Sequence, residues 1–123
     1  MPLSNLPPVI GEALSARGYD ALPPVQQAVT EPEAHGRDMI VSAQTGSGKT
    51  VAFGLALAPE LLDAVGGTPL SEKPLALVIA PTRELALQVS RELGWLYAGA
   101  GLRIATCVGG MDAREERRAL ERG

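Results

Sequence analysis

The residues SAQTGSGKT, Ser42 to Thr50, leave little choice of local fold. They follow the apolar run MIVSA, Met39 to Ala43, and lead into KTVAFGLALAPELL, which has helical composition. The order is strand, tight turn, helix. Glycines at positions 46 and 48 let consecutive backbone N–H groups converge with no Cβ in the way, which makes a nest for an anion. The helix beginning near Lys49 adds the partial positive charge of its N-terminus. Lys49 brings a mobile cation to the terminal phosphates of a nucleotide, and the Thr50 hydroxyl is a ligand for Mg²⁺. Ala43, Gln44, Thr45, Gly46, Ser47, Gly48, Lys49 and Thr50 are therefore the candidate phosphate-binding residues. A phosphate loop usually starts with glycine, and Ala43 holds that place here, still within the strand. A chance Gly-Ser loop is the alternative.

The rest of the chain supplies an α/β frame for this turn. Pro8 to Arg17 predicts a short helix stopped by Gly18, and Pro24 to Ala34 a second one ending near Gly36. Pro59 lacks an amide hydrogen, so the helix after the turn is expected to kink or end near Ala58. The stretch DAVGGTPLSEKP, Asp63 to Pro74, reads as a surface loop. Leu75 to Ala80 is continuously apolar, as in a strand covered on both faces. Pro81 ends it, and Thr82 is the expected N-cap of a helix with Glu84 in its first turn and Leu85, Val89, Leu93 and Leu96 along one face. Leu102 to Val108 predicts a third strand closed by Gly109 and Gly110. The final segment, from Met111, reads as a mixed-charge helix capped by Asp112. Together these give a parallel sheet with flanking helices and right-handed crossovers.

Composition narrows the function classes. A chain of 123 residues, 46% hydrophobic, can bury one modest core. Its net charge of -3 offers no bulk attraction for nucleic acid, so any such contact must be local. No apolar run approaches the roughly 20 residues of a membrane span, and the N-terminus lacks a basic, apolar leader pattern; no membrane partner and a cytoplasmic location are expected. Cys107 is the only cysteine, which excludes an internal disulfide and a cysteine zinc cluster; it reads as a small core residue. His35 reads as an ordinary loop residue, and Phe53 and Trp95 as core packing.

Upstream of the turn, GYDALPPVQ, Gly18 to Gln26, offers an aromatic ring at Tyr19 and a side-chain amide at Gln26. An amide can pair with both the amino group and N7 of adenine, so Tyr19 and Gln26 together are candidate nucleotide-binding residues that would separate ATP from GTP. By themselves these two also read as a half-buried tyrosine and an exposed helix residue.

With the segments taken together, the chain resembles the first RecA-like domain of the DEAD-box RNA helicases along residues 1–123. GYDALPPVQ is similar to the family's adenine-reading Q motif over 18–26, AQTGSGKT to its phosphate loop over 43–50, and PTRELA to its RNA-contacting motif over 81–86. The resemblance implies a P-loop NTPase RecA-like fold that takes ATP and Mg²⁺, with Lys49 and Thr50 serving catalysis. It also implies that Pro81, Thr82, Arg83 and the pair Gly109 and Gly110 meet RNA through phosphate and ribose, without reading sequence. The family's Asp-Glu-Ala-Asp motif, its Ser-Ala-Thr motif and its second RecA-like domain have no counterpart here. The expectation is therefore an N-terminal portion of the domain that binds nucleotide without hydrolysing it, with the second RecA-like domain of the parent chain as partner. Two rivals stand beside it: another P-loop motor, such as a DNA helicase or translocase, and a non-catalytic nucleotide- or RNA-binding module.

Overall fold

The computed structural model describes residues 6–43, 48–67, 74–108 and 113–121. Five α-helices are described: α1 (Pro8–Ala16), α2 (Pro24–Thr30), α3 (Lys49–Gly67), α4 (Arg83–Leu96) and α5 (Ala113–Glu121). Short 3-10 turns follow α2 at Pro32–Ala34 and α4 at Ala98–Ala100. Pro8 and Pro24 open their helices at the first position, where a missing N–H costs nothing. Thr82 caps α4 by accepting a hydrogen bond from the Leu85 amide at 3.2 Å, with Glu84 in the first turn as expected.

Proline sets two boundaries differently from the sequence expectation. The helix expected over 24–34 breaks after Thr30, because Glu31 precedes Pro32 and takes an extended conformation, φ -65° and ψ 147°. By contrast, α3 continues beyond Pro59 to Gly67, so it does not end near Ala58 and extends into the expected loop. Ala58 on one side of the proline is buried, and Leu61 and Leu62 on the other pack against the core, so tertiary contacts outweigh the lost backbone bond.

The core is a helical one. Ile10 and Leu14 of α1, Leu22, Val51, Leu55 and Ala58 of α3, and Val89, Leu93, Leu96 and Tyr97 at α4 form a buried cluster. Tyr19, Phe53 and Trp95 pack against it, in line with the core role expected for the last two. Two contacts fix α4 on α3. Gly54 gives way to its neighbour, since a Cβ there would stand 2.8 Å from Leu96 Cδ2 and 2.9 Å from Leu93 Cδ2. The Tyr97 hydroxyl donates to the Gly54 carbonyl across the same seam.

The three apolar runs expected to be strands, 39–43, 75–80 and 102–108, are neither helical nor paired in a ladder among the described residues, which carry only a single bridge position at Ala21. Their side chains lie open: Ile40 is 101% exposed, Leu77 83% and Ile79 86%. A strand without a neighbour has no partner for its backbone groups and no opposing layer for its side chains, so the expected sheet is not assembled within these residues. Cys107 is also exposed rather than in the core, because the run that carries it has no covering layer on that side. No described helix is long and apolar enough to cross a membrane.

Candidate functional site: the phosphate loop and its neighbours

The loop's two described ends are each held by a side chain singled out from sequence. Gln26 is wholly buried, and its Nε2 donates to the Gly48 carbonyl at 3.3 Å. Lys49 is exposed, and its Nζ donates to the Ala43 carbonyl at 2.7 Å. Gly48 is required there on two counts. Its φ of +89° disfavours any side chain, and a Cβ would stand 2.5 Å from Gln26 Nε2. Thr50 lies half-buried in the first turn of α3. Gln44, Thr45, Gly46 and Ser47 lie outside the described residues.

Burial leaves Gln26 with an unanswered need. Its Oε1 is buried with no hydrogen-bond donor, an arrangement that normally costs on the order of 1–3 kcal/mol. The neighbouring Gln27 does the local structural work instead, its Nε2 donating to the Leu22 carbonyl at 2.7 Å. Gln26 thus carries an amide whose donor side rests on the loop and whose acceptor side awaits a donor. The helix-surface alternative for Gln26 is excluded by its burial.

Tyr19 faces another way. Its half-buried ring is tilted against Trp95, with centroids 6.3 Å apart, and the Arg17 guanidinium lies 4.8 Å from the Trp95 centroid. The indole N–H of Trp95 donates to Glu92 at 3.0 Å. The RNA-side candidates Pro81, Thr82 and Arg83 are exposed at the N-terminus of α4, whereas Gly109 and Gly110 lie outside the described residues. An open groove elsewhere, lined by Glu31, Glu33, Asp38 and Arg37, is a poor home for a polyphosphate because its carboxylates outnumber its cation. Among the described residues no group of three His, Cys, Asp or Glu side chains is placed to hold a metal.

The donors at the loop fit a magnesium nucleotide: a helix N-terminus, an exposed ammonium, a first-turn hydroxyl and an orphaned amide acceptor suited to an exocyclic amino group. Sequence gave no reason to single out Tyr97 or Glu116, whose Oε1 accepts from the Val108 amide at 3.0 Å. A glycine inside an apolar helical stretch was the one legible sign of the close α3–α4 seam.

Likeness to solved structures identifies the architecture as that of RecA-like helicase domains. The RNA helicase Prp28 from Chaetomium thermophilum bound to ADP superposes with a TM-score of 0.80 at 36% identity, covering 96% of this chain and 28% of that one. The DEAD-box helicase Mss116 bound to ssRNA and UDP-BeF gives 0.84 at 28% identity, covering 99% and 26%. The DEAD/DEAH box helicase family model matches residues 23–123, and the chain belongs to that family. Among curated relatives it is 41% identical to DEAD-box ATP-dependent RNA helicase 53 of Oryza sativa subsp. japonica, over 97% of this chain and 19% of the relative. It is 38% identical to the ATP-dependent RNA helicase RhlB of Haemophilus influenzae, over 96% and 28%. The chain thus spans less than a third of the length of these proteins.

Proposed function

We propose that residues 1–123 are the N-terminal portion of the first RecA-like domain of an ATP-dependent RNA helicase, and that they hold ATP and single-stranded RNA for a longer, cytoplasmic polypeptide. The observation that carries this reading is the gathering of Gln26 and Lys49 at the two ends of the phosphate loop. Gln26 recognises the purine through its amide. The loop amides and Lys49 hold the triphosphate, and Thr50 holds Mg²⁺, which when bound neutralises charge on the β- and γ-phosphates. Tyr19, half-buried against Trp95, braces the segment that carries Gln26. Pro81, Thr82 and Arg83 at the start of α4, with Gly109 and Gly110, take phosphate and ribose, so binding falls with salt and is indifferent to base sequence. The acidic motif and the second RecA-like domain required for turnover belong to the rest of the polypeptide.

The test is competition binding with the longer polypeptide. Lys49→Ala is expected to abolish ATP·Mg²⁺ binding at unchanged thermal stability, and Gln26→Ala to lower the preference for ATP over GTP by roughly tenfold, the worth of one lost bidentate contact. An unchanged ATP preference in Gln26→Ala removes the purine-reading role. Unchanged affinity in Lys49→Ala removes the phosphate role.

A further inference from the structure

Trp95 reaches beyond the core it borders. Its neighbours Leu93, Leu96 and Tyr97 are buried, whereas Trp95 is half-buried and held by three separate side chains. The indole N–H donates to Glu92 on the same helix at 3.0 Å, which fixes the ring on α4. The Arg17 guanidinium stands 4.8 Å from the ring centroid, close enough for a cation–π contact. The Tyr19 ring is tilted by 35° against it at 6.3 Å, within the range of aromatic pairing. Arg17 and Tyr19 both belong to one short stretch, the link from α1 to α2.

That link leads to Gln26. At its start the amides of Arg17 and Tyr19 are tied back to the Leu14 carbonyl at 3.0 Å. At its far end Leu22 is buried, and its carbonyl accepts from Gln27. Between these anchors Tyr19 meets Trp95. The helix that follows, α2, has seven residues, too few to hold its own shape in water, so the segments around it decide where its side chains lie. The phosphate loop does not fix Gln26. The bond from Nε2 to the Gly48 carbonyl is 3.3 Å, beyond the usual N–H···O range, and Oε1 has no donor. The aim of the amide is therefore set by the backbone on which it stands.

We propose that Trp95 and Arg17 are positioning residues for purine selection: they hold Tyr19 against the C-terminal end of α4, and through it the link that aims the Gln26 amide. Their role rests on Gln26 reading the purine, as proposed above, and they act on the nucleotide through Tyr19 and Gln26.

Competition binding of ATP and GTP to the longer polypeptide, paired with thermal unfolding, is the test. Trp95→Ala is expected to lower the preference for ATP over GTP by roughly threefold and Arg17→Ala by roughly twofold, the worth of one aromatic pair and one cation–π contact. Trp95→Phe keeps a ring against Tyr19 and should keep the preference. In a Gln26→Ala background, Trp95→Ala should change the preference no further, because its effect passes through that amide. Tyr97→Phe removes the bond from α4 to the Gly54 carbonyl and should lower the thermal midpoint with the preference intact. Arg17 is exposed and its loss leaves folding untouched, so an unchanged preference in Arg17→Ala overturns the role even where Trp95→Ala fails to fold. A loss in Tyr97→Phe as large as in Trp95→Ala also overturns it, since general loosening is then the cause, as does a further loss in the double variant. If Gln26→Ala keeps its ATP preference, the purine-reading role falls and this one with it. If Gln26→Ala loses the preference and Trp95→Ala does not, the positioning role falls alone.

Discussion

Single atoms decide how α4 sits on α3, and Gly54 is the sharpest case. Alanine in a helix interior is ordinarily favoured over glycine by about 1 kcal/mol. Here its Cβ would press on Leu93 and Leu96, both buried, at under 3 Å. Overpacking of that kind costs about 1–3 kcal/mol, so Gly54→Ala is expected to lower stability by about 1 kcal/mol net, the reverse of the propensity scale. Trp95 is the only tryptophan and packs on this core, so its fluorescence reports the urea midpoint that checks the sign. Tyr97 adds a pH signature. Burial raises its hydroxyl from the ordinary 10 to about 12. The folded state therefore keeps a proton that the unfolded chain gives up first, and the contribution is whole below pH 10 and lost as pH rises through about 12. Tyr97→Phe should cost about 1 kcal/mol at neutral pH through the lost bond to the Gly54 carbonyl, and should flatten the fall in stability between pH 10 and 12. Urea melts of both proteins across that range are the measurement.

At the scale of elements, local chemistry was legible wherever the deciding residue was a neighbour in sequence. Thr82 capping α4, Pro32 ending α2 and the apolar stripe of Val89, Leu93 and Leu96 all follow from short-range rules. Gln26 and Lys49 stood out in the sequence by chemical type, and the structure brings both to the described ends of the loop through bonds to the Gly48 and Ala43 carbonyls. What escaped was set by distant neighbours. Burial on both sides of Pro59 carries α3 past the end expected near Ala58, and the seam of Gly54 with Tyr97 joins parts of the chain far apart in sequence. The proline makes a prediction of its own. Because α3 is already helical on both sides, Pro59→Ala restores an amide that can reach the Leu55 carbonyl without repacking anything. An increase of about 1–3 kcal/mol in stability is expected, less than the full helix penalty of proline because the unfolded chain also regains freedom. A lower midpoint in thermal unfolding would mean that the ring itself is a packing element.

For the molecule as a whole, holding a nucleotide and consuming it are separable, and the proposed function divides them at the boundary of this chain. In the proposed function Lys49 and the loop lower the energy of bound triphosphate, but hydrolysis needs a group that orients water and metal at the γ-phosphate. Stabilising ground state and transition state alike gives affinity without rate. The 123-residue chain is therefore expected to bind ATP·Mg²⁺ while turning it over no faster than its Lys49→Ala variant. Single-stranded RNA should leave that rate unchanged. The longer polypeptide should show RNA-stimulated turnover that Lys49→Ala removes. Phosphate release measured on the four proteins, with and without RNA, checks this division. Stimulated turnover by the short chain, lost in its Lys49→Ala form, would place the water-orienting group among the acids of these 123 residues.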